Sequence, residues 1–202
     1  MNPLGPMNVS LKSGAEPFHY EGQALPQTLL NFWQWSSSDL VNNALRGVLA
    51  EYLVATALGC DQHPRREWDA YDLVTEVGIT VEVKSAAYLQ SWSQQNYSTI
   101  QFSIKPSLGW NATNNTYSPQ SKRQADIYVF CVLKHNDKTS VDPLNVSQWD
   151  FYILQTSTLN DRLGRQSTLG LSSLLKLNPI QASYESIYSE IQKIMPDRSE
   201  IL

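Results

Sequence analysis

Cysteine, histidine and basic charge are all scarce in this chain. Cys60 and Cys131 stand far apart, with no CxxC pair, and His19, His63 and His135 are scattered. That argues against both a disulfide framework and a zinc cluster, and the two thiols read as reduced and half-buried. No apolar run approaches the roughly 20 residues of a membrane span, and the N-terminus lacks a charged-then-apolar leader. A cytoplasmic protein without membrane contact is expected. A basic excess is missing too: 15 Lys and Arg stand against 19 Asp and Glu, a net charge of −4. A uniformly cationic surface is therefore excluded. Arg65, Arg66, Lys105, Lys122 and Arg123 supply local positive charge and read first as solvated loop residues.

What is present is enough for one good core: 202 residues, 42% of them hydrophobic. Residues 1–34 carry Pro3, Pro6, Pro17 and Pro26 with Gly5, Gly14 and Gly22, and read as an extended arm. Residues 35–202 read as a single domain.

The most informative segment is Ile79-Thr80-Val81-Glu82-Val83-Lys84-Ser85. Alternation puts Ile79, Val81 and Val83 on one face of a strand and Thr80, Glu82 and Lys84 on the other. Upstream, Tyr71-Asp72-Leu73-Val74-Thr75-Glu76-Val77 is a second run, joined through Gly78. A three-residue loop Glu76-Val77-Gly78, with a left-handed glycine, sets Leu73 opposite Val81, Tyr71 opposite Val83 and Asp72 opposite Glu82. A two-residue turn would mix the polar and apolar faces, which is costly wherever one face is buried.

Before the hairpin, Leu40, Val41, Ala44, Leu45, Val48, Leu49, Tyr52 and Leu53 recur at helical spacing, with Ser36 to Asp39 as start signals and Gly59 as the stop. Glu51 lies beside Ala44, Gly47, Val48, Ala55 and Leu58, while Arg46 points to nearly the opposite side. A desolvated carboxylate needs a lysine, a metal, hydrogen-bond donors or a proton. The plainer alternative places Glu51 in solvent at a groove edge.

The order Glu51 on a helix, Asp72 on a strand, then Glu82-Val83-Lys84 on the next strand resembles the PD-(D/E)xK nuclease superfamily. Arg46-Gly47-Val48-Leu49-Ala50-Glu51 resembles the helix preceding the metal site in Holliday-junction resolvases and related repair nucleases. The likeness spans Leu40 to Lys84, and Tyr71 stands where the motif has proline. It implies an α/β (α+β) restriction-endonuclease-like fold, a central mixed β-sheet flanked by helices. It further implies Mg²⁺- or Mn²⁺-dependent hydrolysis of DNA phosphodiester bonds in restriction or repair, with branched or single-stranded DNA among the substrates and a homodimer as one assembly.

Such hydrolysis needs an activated water, a stabilised phosphorane-like charge and a neutralised leaving oxygen, which hard cations held by carboxylates supply. Asp72 and Glu82 are the expected metal ligands, with the Val83 carbonyl as a third. Glu51 would bind through water or hold a second ion, and Lys84 would orient the water or stabilise phosphate charge. The competing reading is a catalytically inactive member of the same fold, serving as a nucleic-acid-binding or assembly module. For Lys84 alone the plain alternative is a salt bridge to Glu82 or Asp72.

Further along, 86–95 reads as a short helix or an irregular crossing, with Gln94 and Gln95 poor matches to an auxiliary glutamine. A third strand is expected over Ser98 to Ile104 with Ile100, Phe102 and Ile104 inward. Residues 107–121 read as a flexible, substrate-facing loop. Ala125 to Leu133 reads as a central strand buried on both faces and headed by Asp126. Phe151 to Gln155 reads as another strand, and Ala182 to Ile194 as a helix packed through Tyr184, Ile187, Tyr188, Ile191 and Ile194.

Overall fold

The computed structural model describes residues 5, 7–66, 70–111 and 115–195. Its elements run β1 (Pro17–Tyr20), β2 (Gln23–Thr28), α1 (Leu29–Ser37), α2 (Asn43–Leu58), β3 (Leu73–Val74), β4 (Thr80–Ala87), β5 (Gln101–Ser103), β6 (Ser107–Asn111) and β7 (Thr116–Lys122). They continue with β8 (Ile127–Leu133), β9 (Trp149–Gln155), α3 (Thr156–Leu163), β10 (Thr168–Gly170), α4 (Leu171–Leu175), β11 (Ile180–Ala182) and α5 (Ile187–Ile194). The result is a mixed α/β structure around a five-stranded sheet ordered β11-β9-β8-β4-β3. Among the described residues the one parallel pair of this sheet is β4–β8; β3, β9 and β11 run antiparallel to their neighbours.

β8 is apolar throughout, and all seven of its residues are buried because both faces of the sheet are covered. On one face α2 and α5 bring Ala50, Leu53, Val54, Leu58, Ile187 and Ile191 against Val81, Val83, Ile127, Val129 and Cys131. On the other, the small β5–β10 sheet with α3 and α4 brings Ile100, Phe102, Ile104, Leu159, Leu169 and Leu174 against Ala86, Tyr128, Phe130 and Val132. Burying one such large side chain contributes roughly 1.5–3 kcal/mol. Cys131 is fully buried rather than half-buried, and its burial raises the thiol pKa.

Several expectations need correction. Residues 17–34 of the expected arm form the β1–β2 hairpin and most of α1, which runs on to Ser37, instead of extended chain; 1–4 and 6 lie outside the described residues. α2 starts at Asn43, where the Asn42 side chain accepts from the Leu45 N–H, because an asparagine cap outcompetes the serines upstream. Its inward face is Arg46, Ala50, Leu53, Val54 and Leu58, whereas Val48 and Tyr52 are exposed.

The third strand is shorter than expected and pairs with β10 outside the main sheet, although Ile100, Phe102 and Ile104 do point inward. Residues 107–121 largely form the β6–β7 hairpin, with 112–114 outside the described residues. The expected C-terminal helix begins at Ile187, after β11 and a short 3-10 turn; it buries Ile187 and Ile191 but leaves Tyr188 exposed.

Candidate nuclease site

The β3–β4 hairpin sets the geometry. Leu73 pairs with Val81 and Val74 with Thr80, and the Thr75 N–H donates to the Ile79 carbonyl at 2.9 Å. These bonds close the loop Glu76-Val77-Gly78, and Gly78 takes φ +79°, so the register is the one that sorts the faces. β3 pairs with only the first two residues of β4. One step further its backbone leaves, and the Asp72 side chain takes over: Oδ2 accepts from the Val83 N–H at 2.7 Å while the Asp72 N–H donates to the Val81 carbonyl at 3.1 Å.

Asp72 is thus pinned to the edge of β4 beside Glu82. Its carboxyl pKa is pushed up from 3.8 to about 7, first by burial and then by the charges of Glu82 and Glu51; the Val83 N–H and Lys84 pull the other way. The three acids are close enough to repel. Lys84 donates to Glu82 Oε1, an ion pair with both side chains about a fifth to a quarter exposed. In the parallel register Glu82 lies beside Tyr128 and Lys84 beside Phe130, so the acid and the base occupy the β5–β10 face of the sheet. Burial raises the Tyr128 phenol pKa, and Glu82 and Asp72 raise it further while Arg123 opposes them.

Glu51 approaches from α2 and is partnered by Arg65, whose Nη2 donates to Oε1 at 3.0 Å and whose Nε contacts Oε2. The carboxylate is mostly buried, with a side-chain exposure of 13%, so it lies neither free in solvent nor unpaired among apolar groups. Arg65 reads from the sequence as a solvated loop charge, since a partner fourteen residues away across a loop leaves no periodic trace.

Arg46 does point away from Glu51, but into the protein. It donates to Val41 O at 2.8 Å, Asn43 Oδ1 at 2.7 Å and Ser85 Oγ at 3.1 Å, and burial lowers its pKa. Asp126 behaves as a structural strand-start acid, accepting from the Thr80 N–H at 3.0 Å and hydroxyl at 2.8 Å. Gln94 staples its own loop to Gln90, Tyr88 and Ser98 and takes no part in the site.

Among the described residues no group of three or more His, Cys, Asp or Glu side chains is arranged to hold a metal ion. Each acid is instead engaged by a protein donor: Asp72 by the Val83 N–H, Glu82 by Lys84 and Glu51 by Arg65. The pair Asp72 and Glu82 still has the chemistry of a hard-cation donor set. Crowded carboxylates raise one another's pKa until positive charge is supplied, and Mg²⁺ needs few protein ligands because it keeps several waters.

Fold and site together define a mixed α/β protein carrying a carboxylate–lysine cluster at the edge of its sheet, an arrangement suited to charge-stabilised hydrolysis. The chain matches the family described as Bacteriophage T4 endonuclease IV over residues 27–171, more than half its length, and belongs to that family. It is a nuclease by that membership. No curated protein matches it.

Proposed function

We propose that the protein is a Mg²⁺- or Mn²⁺-dependent nuclease of the PD-(D/E)xK type, hydrolysing DNA phosphodiester bonds in restriction or repair. The observation that carries the reading is the crowding of Asp72 against Glu82 beside Lys84, on the hairpin register that the sequence pattern selects. The family match supports the nuclease class independently.

Asp72 and Glu82 are the residues that would hold the cation, and Glu51 stands as the outer acid of the same cluster. A bound divalent ion would supply Lewis acidity and charge neutralisation at the phosphate. The Val83 N–H engages one Asp72 oxygen, and a carboxylate keeps a second oxygen with which to accept a ligand. Lys84, on the same strand face as Glu82, is placed to exchange its carboxylate partner for a phosphate oxygen or for the attacking water. Arg65 orients Glu51. The buried wall of Tyr128 and Phe130 lowers the local dielectric and strengthens each of these interactions.

The deciding measurement is cleavage of a panel of duplex, single-stranded and branched DNA, with matched RNA, in Mg²⁺ or Mn²⁺ and in EDTA. Metal-dependent cleavage lost in Asp72→Asn and Lys84→Ala supports the reading. Binding without cleavage under every condition would leave the fold as a non-catalytic binding module.

A further inference from the structure

The acids of this chain are unevenly spread. Between Glu82 and Asp126 the sequence holds no Asp or Glu, while Lys84, Lys105, Lys122 and Arg123 fall within that stretch. The β6–β7 hairpin lies there, and among the described residues its two strands pair with each other and with no strand of the main sheet. Leu108 and Tyr117 are exposed, Tyr117 at 68%. Trp110 and Tyr117 are directly opposite partners, so their side chains share one face of the ribbon; Trp110 is half-buried and its indole N–H donates to Asn115 Oδ1 at 3.2 Å.

An isolated two-stranded ribbon is marginal in water, yet the root of this one is firmly tied. Buried Arg123 donates to Ile104 O, Asn160 Oδ1, Gly164 O and Gln166 O at 2.7–2.9 Å, fastening the incoming and outgoing chain to the end of α3. Gln124 adds a bond to Ser107 O at 2.8 Å. The ribbon leaves the body at the start of β8, where Ile127 pairs with Val81 and Tyr128 with Glu82. Tyr128, five residues on from Arg123, is the β8 residue paired with Glu82, so the chain runs from the root of the ribbon to the carboxylate cluster within a few residues.

We propose that the β6–β7 ribbon is the nucleic-acid-gripping element of the nuclease: exposed Tyr117, positioned by its cross-strand partner Trp110, stacks on an exposed base, and Lys105 and Lys122 at its foot contact backbone phosphates. The proposal rests on the nuclease reading and deepens it. Charge selects the occupant. A strand of phosphates carried toward an acidic site is favoured by a stretch that contributes no carboxylates, and this one supplies it together with the exposed ring of Tyr117.

The test measures binding of a fluorescein-labelled 20-nucleotide DNA oligonucleotide to the full chain in EDTA, so that no cleavage intervenes. Trp110→Ala and Tyr117→Ala should each weaken binding about tenfold with little change in salt dependence, and Trp110→Phe should restore most of the loss. The double variant Lys105→Ala/Lys122→Ala should reduce the slope of log affinity against log salt by about one to two. Melting temperatures serve as the folding control, since all four residues lie outside the two cores.

Wild-type binding with every variant within twofold overturns the proposal while leaving the nuclease reading intact. A wild type that cleaves the oligonucleotide in Mg²⁺ but loses self-association rather than affinity in Trp110→Ala overturns it in favour of a contact between copies. A wild type that neither binds nor cleaves overturns both.

Discussion

Two hairpins in this protein solve opposite problems. In β3–β4 one strand lies inside the five-stranded sheet, paired along its length with the fully buried β8, and the other is a stub whose missing hydrogen bond is supplied by the Asp72 side chain. In β6–β7 neither strand joins the sheet, and anchorage comes from Arg123 and Gln124 at the root. The first hairpin gathers acids until Asp72 is pushed up to about 7, and the second lies in the stretch between Glu82 and Asp126 where acids are absent. The rigid element thus stores unfavourable charge, while the exposed one is free of it. Burial makes charge expensive and position exact, so chemistry fits the first and adaptable contact fits the second.

The sharpest way to break this contrast is to remove charge from the rigid hairpin. Asp72→Asn and Lys84→Ala should each lower the initial rate of Mg²⁺-dependent cleavage by about 10³-fold or more, on the scale of losing an acid–base or charge-stabilising group. Retention within tenfold of wild type would remove that residue from the chemistry. On stability the same contrast appears between neighbouring elements. Phe130→Ala, in a fully buried site packed edge-on to Phe102, should cost about 3–5 kcal/mol by urea titration, whereas exposed Tyr117→Ala should change stability by less than about 0.5 kcal/mol.

The crowding of Asp72 also has a pH signature. Its folded pKa of about 7 lies above the unfolded 3.8, so between these values the folded state binds more proton than the unfolded one. Its contribution to stability is greatest below pH 3.8 and is lost as pH rises through 7. The full shift corresponds to at most about 4 kcal/mol, and relaxation around the ionised group will return less. Asp72→Asn, which keeps an oxygen for the Val83 N–H, should therefore melt higher than wild type at pH 8 and lose this part of the pH dependence. Mg²⁺ should raise the wild-type melting temperature at pH 8 and leave the variant nearly unchanged. Identical pH profiles in the two proteins would show that the acids do not repel as their positions imply.

The same contrast sets what could be read from sequence. The β3–β4 register was legible because a period of two, a glycine and an alternating face all select one loop. β8 was legible as an unbroken apolar run. The α2 face was not: Val48 and Tyr52 look like core and are exposed, while Arg46 looks like surface and is buried through hydrogen bonds to Val41, Asn43 and Ser85. Hydropathy has no access to a cation satisfied by carbonyls and hydroxyls. Arg65 on Glu51 depends on how the loop after α2 folds back on its helix, and Tyr128 beside Glu82 joins segments distant in sequence, fixed only once β4 and β8 lie parallel. The elements from α3 to β11 are short, and their polar residues mask a periodicity that needs about three turns to show.

The finest form of the comparison takes one glycine from each hairpin. Gly78 has φ +79° and nothing within 4 Å of an added Cβ, so Gly78→Ala meets backbone strain alone and should cost about 1 kcal/mol. In Gly109→Ala the Cβ would come 2.9 Å from Gln124 Oε1, the far end of a flexible side chain. Gln124 can turn away, giving up its bond to Ser107 O, for a loss of about 0.5–1 kcal/mol. The two costs are similar in size but differ in cause, and a second substitution separates them. Adding Gln124→Ala to Gly109→Ala should cost almost nothing more, because the bond is already broken, so the pair is strongly non-additive. No trimmed neighbour should relieve Gly78→Ala. Simple additivity at Gly109 and Gln124 would mean that the root of the ribbon is not held as the geometry describes.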